Sequence, residues 1–593
     1  MEKEELEKQQ EFNQKQEMYR HSMAHVLAKA IKELYLDVKL AIGPAIENGF
    51  YYDFDNLTIN QDDFAKIEDK MKEIIARNED FVRTEVTREK ALEMFKNEPY
   101  KTELINDLPA DSIISVYHTG SDFYDLCRGP HVENTKFLRG FSFKINRASG
   151  AYWRGSEKNK MLTRVYVYGF LNKDDLKECL RLEQEARERD HRKIGKELGI
   201  FMFDDLVGRG LPMWLPKGFI LRRQLSDYIM NKEIALGYLH VMTPSLGNVN
   251  LYKTSGHWDH YKDDMFPAMQ KDDDESFVLR PMNCPHHMVM YKNFQHSYRD
   301  LPLRIAEIAN DFRYEASGSL CGIERTRAFT QNDCHIFCRP DQIKSEIQGV
   351  IDLILDVYKD FGFKKYKFRL SLRDPKNTEK YFGNDGLWEK SEAALREILK
   401  ASGANYYEAE GEAAFYGPKI DVQVESAIGH DITLSTVQLD YQLPERFELE
   451  YIDENNQKVR PVVIHRAILG SLDRFVAFVL EETKGVLPTW LSPVQTKIIT
   501  VSENNSEYAK QVTRKLCLAG VRAEADVENE SVGKKIRNAV LEKVPYILVL
   551  GDKEMADGTV AVRKRGSKDT ETVSYEEFEK MILADIKTHG NQQ

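Results

Sequence analysis

The sequence predicts a multidomain protein that combines α+β and α/β architecture, and three observations lead there. At 593 residues the chain exceeds what one hydrophobic core supports, so three or four domains are expected. Around residues 304–335, two extended runs, RIAEIANDF and TRAFTQNDCHIF, flank a polar loop, as two strands joined by a long connection would. From Ser492 onward, short β-branched runs (TKIITVS, VRAEADV, PYILVLG, TVAVRKR) alternate with helical stretches (EYAKQVTRKLCLAG, SVGKKIRNAVLEK). Strand–helix alternation of that kind builds an α/β domain.

Composition narrows the class. Apolar residues make up 42% and charged residues 30%, which suits globular domains and excludes wholesale disorder. No apolar run reaches the roughly 20 residues that span a bilayer, so no membrane partner is expected. The start, MEKEELEKQQ, is acidic where a signal or transit peptide would be basic and apolar, and a cytoplasmic location is expected. Seven cysteines, an odd number scattered along the chain, point to reduced thiols that are available to metals. The net charge of −12 leaves nucleic acid open without suggesting it. Phosphates respond to basic patches within a Debye length of roughly 8 Å, not to the total charge.

In chain order, residues 1–18 read as a polar, solvated helix or arm. From Tyr19, YRHSMAHVLAKAIKELY has apolar residues at helical spacing, and it places His21 and His25 on one face. In DLCRGPHVENT, Cys127 and His131 repeat the four-residue spacing. By spacing alone, two readings are open for these four: a tetrahedral zinc site, and buried, hydrogen-bonded histidines. The intervening runs AIGPAIENGFYYDF and GAYWRGSEKNKMLTRVYVYGF read as strands and turns, so residues 19–170 form an α+β domain. Residues 171–198 are charged with Leu at intervals, a linker helix supported by i,i+4 charge pairs and stopped by Gly199. Residues 199–490 form a central domain, and residues 491–593 the C-terminal one.

Within the central domain, the stretch around 304–335 carries the chemistry. Arg313, Glu315, Arg325, Phe329, Asp333 and His335 should point into a shared space. An Arg fork reads phosphate, an aromatic ring covers a base, and a His can hold a metal. No GxxxxGK[ST] loop and no GxGxxG after a strand occurs, which removes support from P-loop and dinucleotide chemistries.

Three motifs carry a resemblance to a known family. Phe-Arg-x-Glu, a long loop, then Arg-x-Phe-x-Gln resembles motif 2 of the class II aminoacyl-tRNA synthetases. Gly470-Ser471-Leu472-Asp473-Arg474 resembles their motif 3, and GFILRRQLSDYIMNKEIALGYLHVMTPSL their motif 1, a long helix and a strand that ends at Pro244. With Met282-Asn283-Cys284-Pro285 and Ile464-His465-Arg466-Ala467, the resemblance narrows to the threonyl-tRNA synthetase family, from about residue 20 to the end. That family commonly carries a ubiquitin-like domain before this point, and nothing in residues 1–18 could form one.

The resemblance implies an editing domain, a class II catalytic domain built on an antiparallel sheet, and a C-terminal anticodon-binding domain. It implies a homodimer through motif 1, with tRNA(Thr), ATP and L-threonine as partners. PMNCPHH, NDCHIF and VVIHRAI match the family's zinc ligands, so Cys284, His335 and His465 should hold one Zn2+ per subunit. His286, His287, Cys334 and Cys338 are nearby competitors. Arg313 and Arg474, with Lys419, are the expected catalytic residues. ATP, with Mg2+, should meet Arg313, Glu315, Arg325, Phe329, Gln438 and Arg474, and threonine should meet Gln331, Asp333 and Tyr416. In the editing domain the resemblance assigns His21, His25, Lys101, Asp125, Cys127 and His131 to a cluster that works without a bound metal, with Tyr52 a weaker candidate. Glu554 and Arg563 are the expected readers of anticodon bases, whose pairing edges are exposed in a single strand. Other basic residues there, such as Lys534, Lys535, Arg537, Lys564, Arg565 and Lys568, also read as a solvated face.

The two sites have one physical logic. An apolar pocket separates threonine from its isostere valine only by about 10²-fold, the general figure for synthetase pockets, whereas a metal that binds the hydroxyl refuses valine outright. Serine keeps the hydroxyl and lacks one methyl, roughly 1–3 kcal/mol, so it leaks through and a hydrolytic site is needed.

Overall fold

The computed structural model describes residues 2–270, 275–377, 381 and 385–588. The chain divides into two compact units, one up to Glu185 and one from Ala186.

The first unit is α+β. Its opening helix, Glu2–Leu34, runs without interruption from the polar lead into the histidine-bearing stretch. Between Met23 and Ile31 its side chains are buried almost all round: Met23, Ala24, Val26, Leu27, Ala28, Ala30 and Ile31. An all-round apolar surface marks a helix that runs through a core. It packs on Gly49–Asp55, the centre of an antiparallel sheet ordered Lys39–Leu40, Gly49–Asp55, Met161–Phe170, Ser142–Tyr152. A second antiparallel sheet, Phe81–Val86, Ile114–Thr119 and Phe123–Leu126, leads into Cys127.

The linker segment is two helices, Lys173–Arg189 and His191–Leu198, rather than the one that its charge pattern suggests. Asp190 leaves helical geometry between them, and its carboxylate caps the second helix by accepting from the Arg192 N–H. Gly199 ends that helix in the left-handed conformation, φ 65°.

The second unit is built on an eight-stranded sheet, here labelled in chain order: β1 (Leu239–His240), β2 (Leu303–Phe312), β3 (Ala328–Cys338), β4 (Tyr366–Leu372), β5 (Tyr406–Glu410), β6 (Lys419–Glu425), β7 (Asp431–Asp440) and β8 (Val462–Ser471). The order across the sheet is β1-β2-β3-β8-β7-β6-β4-β5. The six central strands are antiparallel, and the two edge strands are parallel to their neighbours. The strand expected to run to Pro244 is only β1, because Thr243 turns its N–H and hydroxyl onto the Glu307 carboxylate, 2.9 Å each. Side chains from β3, β4, β6, β7 and β8 form one large core with helices Pro216–Ala235, Ile343–Phe361, Asp385–Ser402 and Leu472–Thr483. The expected hairpin is β2–β3, with Arg313 to Arg327 as its loop.

The C-terminal part is α/β. All four β-branched runs form strands, and a fifth strand, Glu571–Ser574, joins them in the order Ala523–Asp526, Thr496–Thr500, Tyr546–Leu550, Thr559–Lys564, Glu571–Ser574. The first three are parallel and the last two antiparallel.

Candidate active site and metal centre

Register across the sheet explains how residues far apart in sequence meet. Ile305 pairs with His335, His335 with His465, His465 with Gln438, and Gln438 with Lys419. The neighbouring row runs Glu307, Asp333, Ala467, Thr436, Asp421. Directly opposed residues share a face, and alternate residues of one strand do too. Phe329, Gln331, Asp333 and His335 therefore line one side of β3, while Cys334 and Cys338 turn into the core.

That face walls a cavity of about 400 Å³. Every residue expected to meet ATP or threonine lines it: Arg313, Glu315, Arg325, Phe329, Gln331, Asp333, Tyr416, Lys419, Gln438 and Arg474. Cys284 and His465 line it as well. The donor atoms of Cys284, His335 and His465 all lie within 4.8 Å of one another, and all three residues are buried.

Hydrogen bonds around the two histidines leave each with a bare nitrogen. Nε2 of His465 lies 2.9 Å from Asp440 Oδ2, so a proton on Nε2 frees Nδ1. Glu307 Oε2 lies 3.1 Å from His287 Nε2, and His287 Nδ1 lies 2.8 Å from His335 Nδ1. A carboxylate only accepts, so the proton sits on His287 Nε2, its Nδ1 accepts from His335 Nδ1–H, and His335 Nε2 is left unprotonated. That Nε2 is buried with no hydrogen-bond partner. An orphaned imidazole nitrogen beside a buried thiol and a second imidazole fits a metal with N and S ligands. Burial pushes the Cys284 thiol well above its usual range, and a bound dication would reverse this by favouring the thiolate. Among the competitors, His287 orients His335, His286 Nε2 lies 3.3 Å from the Leu246 carbonyl, and Cys334 and Cys338 belong to the core.

The rest of the cavity is lined by both cations and carboxylates, several of them paired. The Arg313 guanidinium lies over the Phe329 ring, 5.0 Å from its centroid. Arg325 pairs with Glu315 at 3.0 Å, and Arg474 Nε donates to the Glu324 carbonyl at 3.2 Å. Lys419 is held 2.6 Å from Asp421, whose carboxylate also accepts from Arg369, Ser371 and Thr436. Burial lifts Asp333, and it pushes the Tyr416 phenol well up. Gly470 takes φ 60°, and a Cβ there would lie 2.5 Å from the Leu434 carbonyl oxygen, so only glycine lets β8 turn into the helix that carries Arg474. Sequence reasoning missed Asp421, Asp440, His287 as an orienting group, and Glu307. The two-residue spacing of Lys419 and Asp421, and of Thr436 and Gln438, carried a signal for the first.

In the first unit, the four expected residues meet. Cys127 Sγ lies 3.1 Å from His21 Nε2 and 3.2 Å from His131 Nε2, and His131 Nδ1 lies 3.2 Å from Ser22 Oγ. Asp125 accepts from Tyr52 at 2.5 Å and from Lys101 at 2.6 Å, so Tyr52 belongs to this network. Burial raises the Cys127 thiol to about 11 and holds His25 and His131 far below the usual imidazole range. The donor atoms of His21, His25, Cys127 and His131 also lie within 4.8 Å of one another, so this cluster too has the size of a metal site. In the C-terminal domain, Glu554 accepts from the Gly551 N–H at 2.9 Å, and Arg563 Nε donates to the Ser567 carbonyl at 2.9 Å.

Three parts of the chain match known families. Residues 265–483 match the tRNA synthetase class II core domain (G, H, P, S and T), residues 495–585 the anticodon binding domain, and residues 114–166 the threonyl and alanyl tRNA synthetase second additional domain. Sheet, cavity and matched core thus define a class II aminoacyl-tRNA synthetase. Among curated relatives, the threonine–tRNA ligase of Anoxybacillus flavithermus is 54% identical over 96% of this chain and 89% of its own length. That of Geobacillus sp. is 55% identical over the same shares. A solved structure described as the RNA binding domain of threonyl-tRNA synthetase from Cryptosporidium parvum superposes with a TM-score of 0.64 at 39% identity, over 67% of this chain and 98% of that one. The chain belongs to the threonine–tRNA ligase family.

Proposed function

We propose that the protein activates L-threonine with ATP, transfers it to the 3′ end of tRNA(Thr), and hydrolyses mischarged seryl-tRNA(Thr). One observation carries this reading: a buried Cys284–His335–His465 cluster opens into the same cavity as Arg313, Phe329 and Arg474. Cys284, His335 and His465 would hold one Zn2+ per subunit. A bound ion would supply Lewis acidity that the threonine hydroxyl can meet and the valine methyl cannot.

Around it, Asp333, Gln331 and Tyr416 orient the amino acid. Phe329 covers adenine, with Arg474 on the other side, and Glu315, Arg325 and Gln438 complete the nucleotide contacts, with Mg2+ accompanying ATP. A threonine carboxylate oxygen forms a bond to the α-phosphorus as the bond to pyrophosphate breaks. Arg313 and Lys419 neutralise the charge that builds there. A ribose hydroxyl of the tRNA then attacks the adenylate carbonyl, and AMP leaves. No side-chain nucleophile is needed.

For the first unit, we favour the metal-free editing reading. Around a tetrahedral zinc, S and N ligands sit about 3.5 Å apart, whereas Cys127 touches both imidazoles at 3.1 and 3.2 Å. His21, His25, Cys127 and His131 would position water and the ester, with Lys101 and Asp125 behind them. Glu554 and Arg563 are proposed to read anticodon bases. The Pro216–Ala235 helix is the proposed homodimer element, consistent with exposed Phe219, Ile234, Leu236 and Leu239 on it and just after it. Free thiols are consistent with the proposed cytoplasmic location. Among the described residues no helix is long and apolar enough to cross a membrane.

The test is amino-acid-dependent ATP–pyrophosphate exchange with threonine, valine and serine, before and after metal removal. Strong exchange with threonine, weak with serine, none with valine, and loss on chelation with recovery on added zinc are expected. If no amino acid supports exchange, the catalytic reading fails and an RNA-binding role replaces it.

A further inference from the structure

The second linker helix, His191–Leu198, begins with a buried histidine that neither site uses. Its Nδ1 lies 2.6 Å from Glu481 Oε1, on the helix that carries Arg474. Its Nε2 lies 3.2 Å from the Ile323 N–H, at the tip of the β2–β3 loop. Since a carboxylate only accepts, the ring proton sits on Nδ1, and Nε2 accepts from Ile323. Arg189, just before it, donates to the Glu481 and Glu482 carbonyls at 2.7 Å each.

The loop is shaped to receive the ring. Gly322 takes φ 47°, and a Cβ there would stand 2.1 Å from His191 Nε2. Ile323 is fully buried in the main core. The next residues, Glu324, Arg325 and Thr326, line the substrate cavity, and the Glu324 carbonyl receives Arg474. One imidazole therefore ties the loop bearing Arg325 to the helix bearing Arg474.

We propose that His191 is a positioning residue for the nucleotide-binding wall: by bridging Glu481 and Ile323, it sets Arg325 and Arg474 for ATP. The role rests on the ligase reading above and adds to it a residue of the linker. Leaving the buried Ile323 N–H unsatisfied should disturb ATP more than threonine, because His191 touches neither the strand of Gln331 and Asp333 nor the turn of Tyr416.

The experiment measures KM for ATP, KM for threonine and kcat in threonine-dependent exchange by the full-length protein. It compares wild type with His191→Gln, His191→Asn, His191→Ala and Gly322→Ala. Gln reaches as far as Nε2 and can accept from Ile323, whereas Asn reaches only as far as Nδ1. Ala, Asn and Gly322→Ala should raise KM for ATP about tenfold with KM for threonine within about twofold, and Gln should hold KM for ATP within about threefold. The proposal is overturned if Gln and Asn behave alike, or if the soluble variants lose only active fraction or melting temperature with KM for ATP unchanged. Should Ala not fold, the Gln–Asn contrast decides. An inactive wild type would instead sink the ligase reading itself.

Discussion

His287 shows how much a residue outside the donor set can matter. It does not offer an atom to the Cys284–His335–His465 cluster, yet it passes the Glu307 carboxylate's influence to His335 and sets which nitrogen is bare. Partners of this kind typically govern 10- to 100-fold in metal affinity. His287→Ala should therefore weaken zinc binding about 10- to 100-fold in chelator competition, with exchange activity restored by higher zinc. Unchanged zinc affinity would remove His287 from the argument. Asp440→Ala should act the same way through His465. At Arg313, replacement by Ala removes the donor proposed for the reacting phosphate, and kcat for exchange should fall about 10²–10³-fold. Lys in its place should recover little, because a point charge lacks the planar fork.

At the scale of elements, the β-hairpin and the β8-to-helix turn position most of the chemistry. Gly470 sits where β8 becomes the helix of Arg474, with positive φ and a neighbouring backbone oxygen in the way of any Cβ. The obstacle is backbone and cannot swing aside. Gly470→Ala should cost about 1–3 kcal/mol in denaturant midpoint measurements and raise KM for ATP. A variant as stable and active as wild type would show that the turn tolerates rearrangement. The hairpin itself was legible: two runs of alternating residues around a loop announce paired strands. The two-residue β1 was not, because where a strand ends depends on which neighbour claims its N–H groups, here the side chain of Glu307 at Thr243.

At the scale of whole units, burial of neutral histidines makes stability depend on pH. His25 and His131 are held far below their unfolded value of about 6.5, chiefly by burial. The unfolded chain therefore takes up protons below pH 6.5 that the folded unit refuses, and stability present above that pH is lost as the pH falls. The slope is about 1.4 kcal/mol per pH unit for each such histidine. Hydrogen exchange of peptides from residues 19–170 should show protection constant from pH 8 to 7, after correction for intrinsic rates, and falling from 6.5 to 5.5. A flat profile through that window would mean that the imidazoles stay accessible to protons in the folded unit.

The sequence by itself determined what is local. Four-residue spacing on the opening helix put His21 beside His25, alternation along TRAFTQNDCHIF put Phe329, Gln331, Asp333 and His335 on one face, and β-branched runs marked four of the five C-terminal strands. Residue spacing repeats with the helix turn or the strand pleat, so these relations are written in the chain. Only the tertiary structure decided that His335, His465, Gln438 and Lys419 stand in one row across four strands, and that Asp440 and His287 choose the nitrogens facing Cys284. It likewise decided that a linker histidine reaches the hairpin loop. Register between strands distant in the chain is set by which faces bury together, and no local pattern specifies that.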